Sequence, residues 1–201
     1  MLARRSEPAP GPFTFEEYLD WEAEQEEKWE LVDGYAFRRS DRWHYDPAMG
    51  MAGATFAHNL IQANLIRHLG NRLAGGPCRA LPSELKTRSA RGSSRYPDVT
   101  VECGRPEPGS LLSAEPRVLF EVLSASNTLP QQLQLLDDYQ AVPSVQQIVF
   151  LEQARPSLLS WTRGDPFWPR ETIEELDVEL RLPSLGLNLP LSEIYEGLDF
   201  G

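Results

Sequence analysis

The chain has 201 residues, of which 24% are charged, with a formal net charge of −11 and a pI near 4.8. That length favours one domain with room for a sizeable core. The acidic balance excludes a general nucleic-acid coat protein, but not a nuclease whose basic residues gather in one cleft or come from a second subunit.

Met1 to Pro12 is basic, then Pro-rich, and has no apolar run. It reads as a flexible tail and not as a signal peptide, with a single domain over 13–201. No later run is long enough to cross a membrane. Thr14-Phe15-Glu16-Glu17 has the form of a capping box, so a helix is expected from Thr14 to about Glu26. The acidic run Glu22–Glu27 reads as a solvated helix face. Lys28 to Phe37 reads as a hairpin turning at Asp33-Gly34, with Glu30 between Trp29 and Leu31. Arg38 to Gly50 is a polar loop made locally basic by Arg38, Arg39, Arg42 and His44. With Trp43 and Tyr45 it could touch a nucleic-acid backbone and stack on bases.

Thr55 to Leu73 is the clearest helix, with Phe56, Leu60, Ala63, Leu65, Ile66, Leu69 and Leu73 expected as its apolar face and Gly75-Gly76-Pro77 as its stop. His58 and Asn59 stand in its first turn. Cys78 to Arg88 reads as one long strand, which would put Glu84, Lys86 and Arg88 on a shared inner face. Cys78 and Cys103 form no CxxC pair and suggest no disulfide framework, so a reducing cytosol is the simplest compartment. Tyr96 to Val101 and Arg117 to Ser124 read as strands joined by a Pro/Gly/Ser linker over Pro106–Pro116. A helix over Asn127–Ala141 follows, with Leu129, Leu133, Leu136 and Tyr139 at helical spacing. Strands over Val145–Glu152, Ser157–Thr162 and Leu176–Leu182 come next, then an extended Leu185–Leu191 and a short helix from Ser192. Helices interleaved with strands in this order indicate an α/β (α+β) domain with a mixed sheet.

Asp98 and Glu121 each place one carboxylate inside an apolar strand. A buried carboxylate needs a partner or a metal, and two on neighbouring strands repel unless a cation lies between them. The expectation is that Asp98 and Glu121 hold a divalent metal, Mg²⁺ or Mn²⁺, with retained waters and substrate phosphate completing the shell. Hydrolysis of a phosphodiester then needs an activated water and stabilised charge on the leaving oxygen. Lys86 is expected to orient that water, with Glu30 acting through water.

These pieces resemble the Uma-two family of restriction-endonuclease-like proteins, common in bacteria, within the PD-(D/E)XK nuclease superfamily. The matching segments are Phe15–Leu19, Trp29–Gly34, Met51-Ala52-Gly53 with His58-Asn59, Tyr96-Pro97-Asp98-Val99, Phe120–Ser124 and Leu191–Phe200. The resemblance implies a mixed sheet flanked by helices and a magnesium-dependent DNA endonuclease. It makes Glu30 the first acidic position, Asp98 the metal-binding aspartate, Glu121 the glutamate of the (D/E)XK element and Lys86 a basic position on the preceding strand. His58 and Glu84 would be accessory, and Arg38, Arg39, Arg42 and Arg88 would contact nucleic acid. The chain departs from the pattern where superfamily members carry lysine two residues after the glutamate, which here is Leu123. It departs again where relatives carry Asp and Lys in the next helix, here Gln131 and Leu135. The alternative is therefore a catalytically impaired nuclease fold kept as a binding module, and a more distant one is a hydrolase of a small phosphoester. A homodimer would supply two sites for cutting two strands.

Overall fold

The computed structural model describes residues 10–39, 54–124 and 127–200. Tail residues 1–9, the basic-loop residues Arg42, Trp43, His44 and Tyr45, and the Met51-Ala52-Gly53 segment lie outside the described residues. Helix α1 is Phe15–Glu22, β1 is Trp29–Val32, β2 is Tyr35–Arg38 and α2 is Phe56–Leu73. Strands β3 (Arg79–Pro82), β4 (Thr87–Arg88), β5 (Ser94–Arg95), β6 (Val99–Glu102) and β7 (Pro116–Leu123) precede α3 (Leu129–Gln140). Then come β8 (Gln147–Glu152), β9 (Leu158–Thr162), β10 (Arg170–Ile173), β11 (Glu179–Leu182), β12 (Leu187–Pro190) and α4 (Leu191–Ile194).

The main sheet has six strands in the order β10-β9-β8-β7-β6-β3. Only its β7–β8 pair is parallel, so the sheet is mixed. Alternation along β7 sorts its side chains between two layers. Val118, Phe120 and Val122 face α2, where Ile61, Leu65 and Leu69 cover them. Leu119 and Leu123 face α3, where Leu135 and Tyr139 cover them. At about 1.5–3 kcal/mol for each large apolar side chain buried, these two layers dominate the favourable side of folding. A smaller sheet, β2-β1-β5-β4, packs with α1 around Phe15, Tyr18, Leu31 and Ala36.

The capping box forms as expected, with Thr14 Oγ1 accepting from the Glu17 amide and Glu17 accepting from the Thr14 amide. The Asp33-Gly34 turn also forms, with φ of 50° and 84° at its two residues, the left-handed pair that a two-residue hairpin needs.

Four sequence expectations are corrected. The long strand Cys78–Arg88 does not exist: β3 ends at Pro82 in the main sheet, and β4 lies in the small one. Proline has no N–H with which to continue the ladder, and the Glu84 amide turns back onto the Pro82 carbonyl. The buried stripe of α2 keeps Leu65 and Leu69 of the expected face, with Ile66 and Leu73 packed against the core, but it is rotated to take in His58, Ile61 and Asn64 and leaves Phe56 76% exposed. In α3 Tyr139 is buried and Leu136 packs against the core as expected, but Leu135 and Asp138 are buried as well, while Leu129 and Leu133 are exposed. Finally, Cys78 and Cys103 form a disulfide. The β3–β6 register pairs Arg79 with Glu102, which sets 78 opposite 103 one step beyond the ladder. Spacing along the chain gave no sign of that register. β10 also escaped notice, because only Ile173 of Arg-Glu-Thr-Ile is buried.

Candidate active site

The antiparallel register of β6 and β7 pairs Val99 with Phe120. Asp98 lies one step beyond that pair, at the end of the sheet near Glu121. Asp98 reaches His58 and Gln62 on α2 and Glu121 reaches Tyr139 on α3, but the charge of Asp98 still acts on Glu121. Both side chains are nonetheless buried, at 6% exposure each, so their surroundings decide their charge.

Asp98 is surrounded by donors. Its Oδ2 accepts from the Val122 amide at 2.8 Å and lies 3.2 Å from His58 Nε2. Its Oδ1 accepts from Gln62 Nε2 at 2.8 Å and has Arg39 Nη2 at 3.6 Å. His58 and Gln62 are successive-turn neighbours on α2, so the rotated stripe of that helix is what aims them at the end of the sheet. Burial alone would raise the Asp98 carboxyl. The hydrogen bond and charge of His58, the Val122 amide and the charge of Arg39 outweigh burial and hold it below the ordinary carboxylate range.

Glu121 goes the other way. Burial raises its carboxyl well above the ordinary range and the charge of Asp98 raises it further, while the hydrogen bond from the Tyr139 hydroxyl offsets only part. The two carboxyls are thus shifted in opposite directions, Asp98 toward its ionised form and Glu121 toward its protonated form.

Glu30, on β1, sits in a third buried position. Its Oε2 accepts from Arg95 Nη1 at 3.1 Å and its Oε1 from the Tyr96 amide at 3.4 Å. Arg95, 1% exposed, also donates through Nε to Asp138 Oδ2 on α3 at 2.7 Å. Burial raises the Glu30 carboxyl despite the charges of Arg95 and Arg39. Glu30 in turn raises Glu121, which places Glu30, Asp98 and Glu121 in one electrostatic neighbourhood.

The other candidates lie elsewhere. Glu84 is 68% exposed at its side chain and pairs with Lys28. Arg88 pairs with Glu16 at 3.1 Å and stacks its guanidinium 4.0 Å above the Phe15 ring. Lys86 is buried and its ammonium pairs with Glu22 on α1, whose other oxygen accepts from the Tyr96 hydroxyl at 2.8 Å. The expected shared inner face of Glu84, Lys86 and Arg88 is therefore absent. Arg38 pairs with Glu27 at 3.2 Å and covers Trp29. Arg39 alone of the four expected nucleic-acid arginines is placed against the carboxylates, Arg42 being outside the described residues.

The positions that break the superfamily pattern are used for packing. Leu123 and Leu135 are buried together beneath α3, and Gln131 closes the Thr128 capping box. Sequence reasoning missed Gln62, Arg95, Asp138, Tyr139 and Glu22. Only Arg95, beside the Pro-Asp element in an otherwise small-residue turn, carried a visible signal.

Among the described residues no three His, Cys, Asp or Glu side chains converge on one point that could hold a metal. The donor chemistry still fits a hard divalent cation. Asp98 and Glu121 bring two buried carboxyl groups near one another, and a cation there would offset the Asp98 charge that raises Glu121. Two protein carboxylates with retained water are an ordinary Mg²⁺ arrangement.

Residues 15–192 match the family model Uma2, described as "Putative restriction endonuclease". The uncharacterized protein slr1290 of Synechocystis sp. is 29% identical over 203 residues, covering 99% of this chain and all of that protein. A crystal structure described as a putative nuclease belonging to DUF820, from Anabaena variabilis, superposes with a TM-score of 0.69 at 18% identity. It covers 92% of this chain and 98% of the other, so the fold is shared over nearly the whole length.

Proposed function

The chain belongs to the Uma2 family of restriction-endonuclease-like proteins, and we propose that it is a magnesium- or manganese-dependent endonuclease that hydrolyses phosphodiester bonds of DNA. The observation that carries this reading is the closeness of two buried carboxyl groups, Asp98 and Glu121, at the end of the sheet, the charge of one acting on the other. Asp98 and Glu121 would hold the cation, which when bound supplies Lewis-acid polarisation of the phosphate and a more acidic water. The protein's own groups do the rest. His58, Gln62 and the Val122 amide fix Asp98 in one orientation, so little reorganisation is needed when charge enters the site. The Tyr139 hydroxyl fixes Glu121 in the same way. In hydrolysis the oxygen of one water bonds to phosphorus, one P–O ester bond breaks, and the departing oxygen takes up a proton. Cutting both strands would draw on a second copy of the chain.

The test is conversion of supercoiled plasmid by purified protein in Mg²⁺ or Mn²⁺, with EDTA as the control. Asp98→Ala and Glu121→Gln should each abolish conversion while leaving the protein folded. Full activity in either variant would sink the assignment. A second reading, a binding module without hydrolysis, is favoured by one observation: Lys86, the lysine nearest the superfamily's role, is buried against Glu22. Metal-dependent cleavage lost in Glu121→Gln would eliminate it.

A further inference from the structure

Phosphodiester hydrolysis puts negative charge on the non-bridging oxygens and the leaving oxygen, and a site for it needs a cation that can reach the phosphate. Four buried or half-buried cations lie around Tyr96 or the carboxylates: Lys28, Arg39, Lys86 and Arg95, of which Lys28 is taken up by Glu84. Arg95 is closed in by Glu30 and Asp138 and is 1% exposed. Lys86 is closed in by Glu22, with both side chains at 6%. Arg39 differs on both counts. Its side chain is 23% exposed, and its contacts among the described residues are all long. They are 3.3 and 3.4 Å to Ser83, 3.5 Å to the Tyr96 carbonyl and 3.6 Å to Asp98 Oδ1, with the guanidinium 5.5 Å from the centre of the Tyr96 ring. Hydrogen bonds at full strength to a charged group run about 2.7–2.9 Å. Arg39 is therefore positioned without being sequestered, and a stronger anion can recruit it. Its charge is also felt by Glu30, Asp98 and Glu121 together.

We infer that Arg39 is the substrate-phosphate cation of this site, supplying from the end of β2 the positive charge that Leu123 and Leu135 do not. A guanidinium suits the task because its planar fork pairs with two phosphate oxygens at once. The position follows from the fold. The Arg39 amide donates to the Lys28 carbonyl at 2.9 Å, prolonging the β1–β2 hairpin by one step, and the hairpin sets the side chain beside Tyr96 and Asp98. The inference rests on the reading of the site as one that acts on a phosphodiester.

The experiment is fluorescence anisotropy of a labelled DNA duplex with the full chain in Ca²⁺, across a salt series, for wild type, Arg39→Gln, Arg39→Lys and Arg105→Gln. Arg105 is an exposed control of equal charge in the β6–β7 connection, at the opposite end of the sheet. Arg39→Gln should weaken binding by about ten- to a hundredfold and lower the salt slope by about one. Arg39→Lys should recover part of the affinity, and Arg105→Gln should stay within twofold of wild type. Circular dichroism melts should be unchanged by Arg39→Gln. Wild-type affinity and slope in Arg39→Gln, an equal loss in Arg105→Gln, or no DNA binding by the wild type would each overturn the assignment. The two readings separate in the plasmid assay. No cleavage by a wild type that needs Arg39 to bind DNA would remove hydrolysis and leave Arg39 standing. Cleavage lost in Glu121→Gln but unaffected in Arg39→Gln would do the reverse.

Discussion

Replacing Arg95 with methionine tests whether the polar interior beneath the site is held by charge. The guanidinium lies between Glu30 of β1 and Asp138 of α3 and is 1% exposed. Methionine keeps much of the length but removes the cation that two buried carboxylates share. Breaking a buried pair in this way costs about 3–5 kcal/mol. At about 2–4 °C per kcal/mol for a domain of this size, the melting temperature should fall by about 6–20 °C. The pH dependence has a definite sign. The folded Glu30 carboxyl holds its proton more tightly than in the unfolded chain, because burial outweighs Arg95 and Arg39. Such a group favours folding most at pH below the ordinary carboxylate range, and that contribution is lost as pH rises through the folded value. Removing Arg95 takes away the largest opposing pull. The variant's deficit should therefore deepen at neutral pH and shrink as pH falls toward about 4, where carboxyls protonate. Differential scanning calorimetry across pH reads both effects. The triple variant Arg95→Met, Glu30→Gln, Asp138→Asn should recover more than half of the loss. A deficit below about 1 kcal/mol at pH 7, of the size usual for exposed pairs, would refute the argument, as would a deficit that does not change with pH.

Metal binding should be accompanied by proton release, because burial and the charge of Asp98 shift Glu121 toward its protonated form and a cation beside Asp98 favours the ionised one. Calorimetric titration with Mn²⁺ in buffers of different ionisation enthalpy measures the release, and affinity should rise with pH; binding without proton release would contradict that coupling. Leu135→Lys, which puts in the lysine that the resemblance implies for that position, should destabilise the fold by about 3 kcal/mol or more, because position 135 is fully buried in a cluster with Leu119 and Tyr139. Denaturant melts decide it, and a neutral outcome would show that α3 can turn that position toward the site. Reducing the Cys78–Cys103 bond, which spans 25 residues, should lower stability by about 3–4 kcal/mol on the loop-closure account. Melts with and without reductant measure this, and no difference would mean that the β3–β6 ladder alone keeps those ends together.

Elements with strong local signals were readable from the chain. Thr14–Glu17, Asp33-Gly34 and the α2 segment each carry chemistry that acts within a few residues, so capping, turn and helix could be named directly. Asp98 and Glu121 were readable for a related reason: a carboxylate in a run such as Val-Leu-Phe-Glu-Val-Leu has to be accounted for. What could not be read depends on register and on the rotation of faces. The rotated stripe of α2 aims His58 and Gln62 at Asp98, yet Gln62 has no sequence feature to set it apart. Lys86 and Glu22 are 64 positions apart in the chain and meet only because α1 and the Lys86 segment close over Tyr96. The fate of Cys78 and Cys103 followed from a strand pairing that composition cannot reveal. Leu123 and Leu135 were noticed as missing lysines, but both belong to the apolar cluster between β7 and α3, where an ammonium would be buried.

The connection between β6 and β7 leaves the ladder at the end remote from Asp98 and Glu121, and Glu107, Pro108 and Gly109 within it are exposed. Length added there does not alter which residues face each other across the two strands. The hairpin therefore has a permissive end, at which a peptide tag, a fluorophore or a whole second module can be spliced in while the reacting end keeps its alignment.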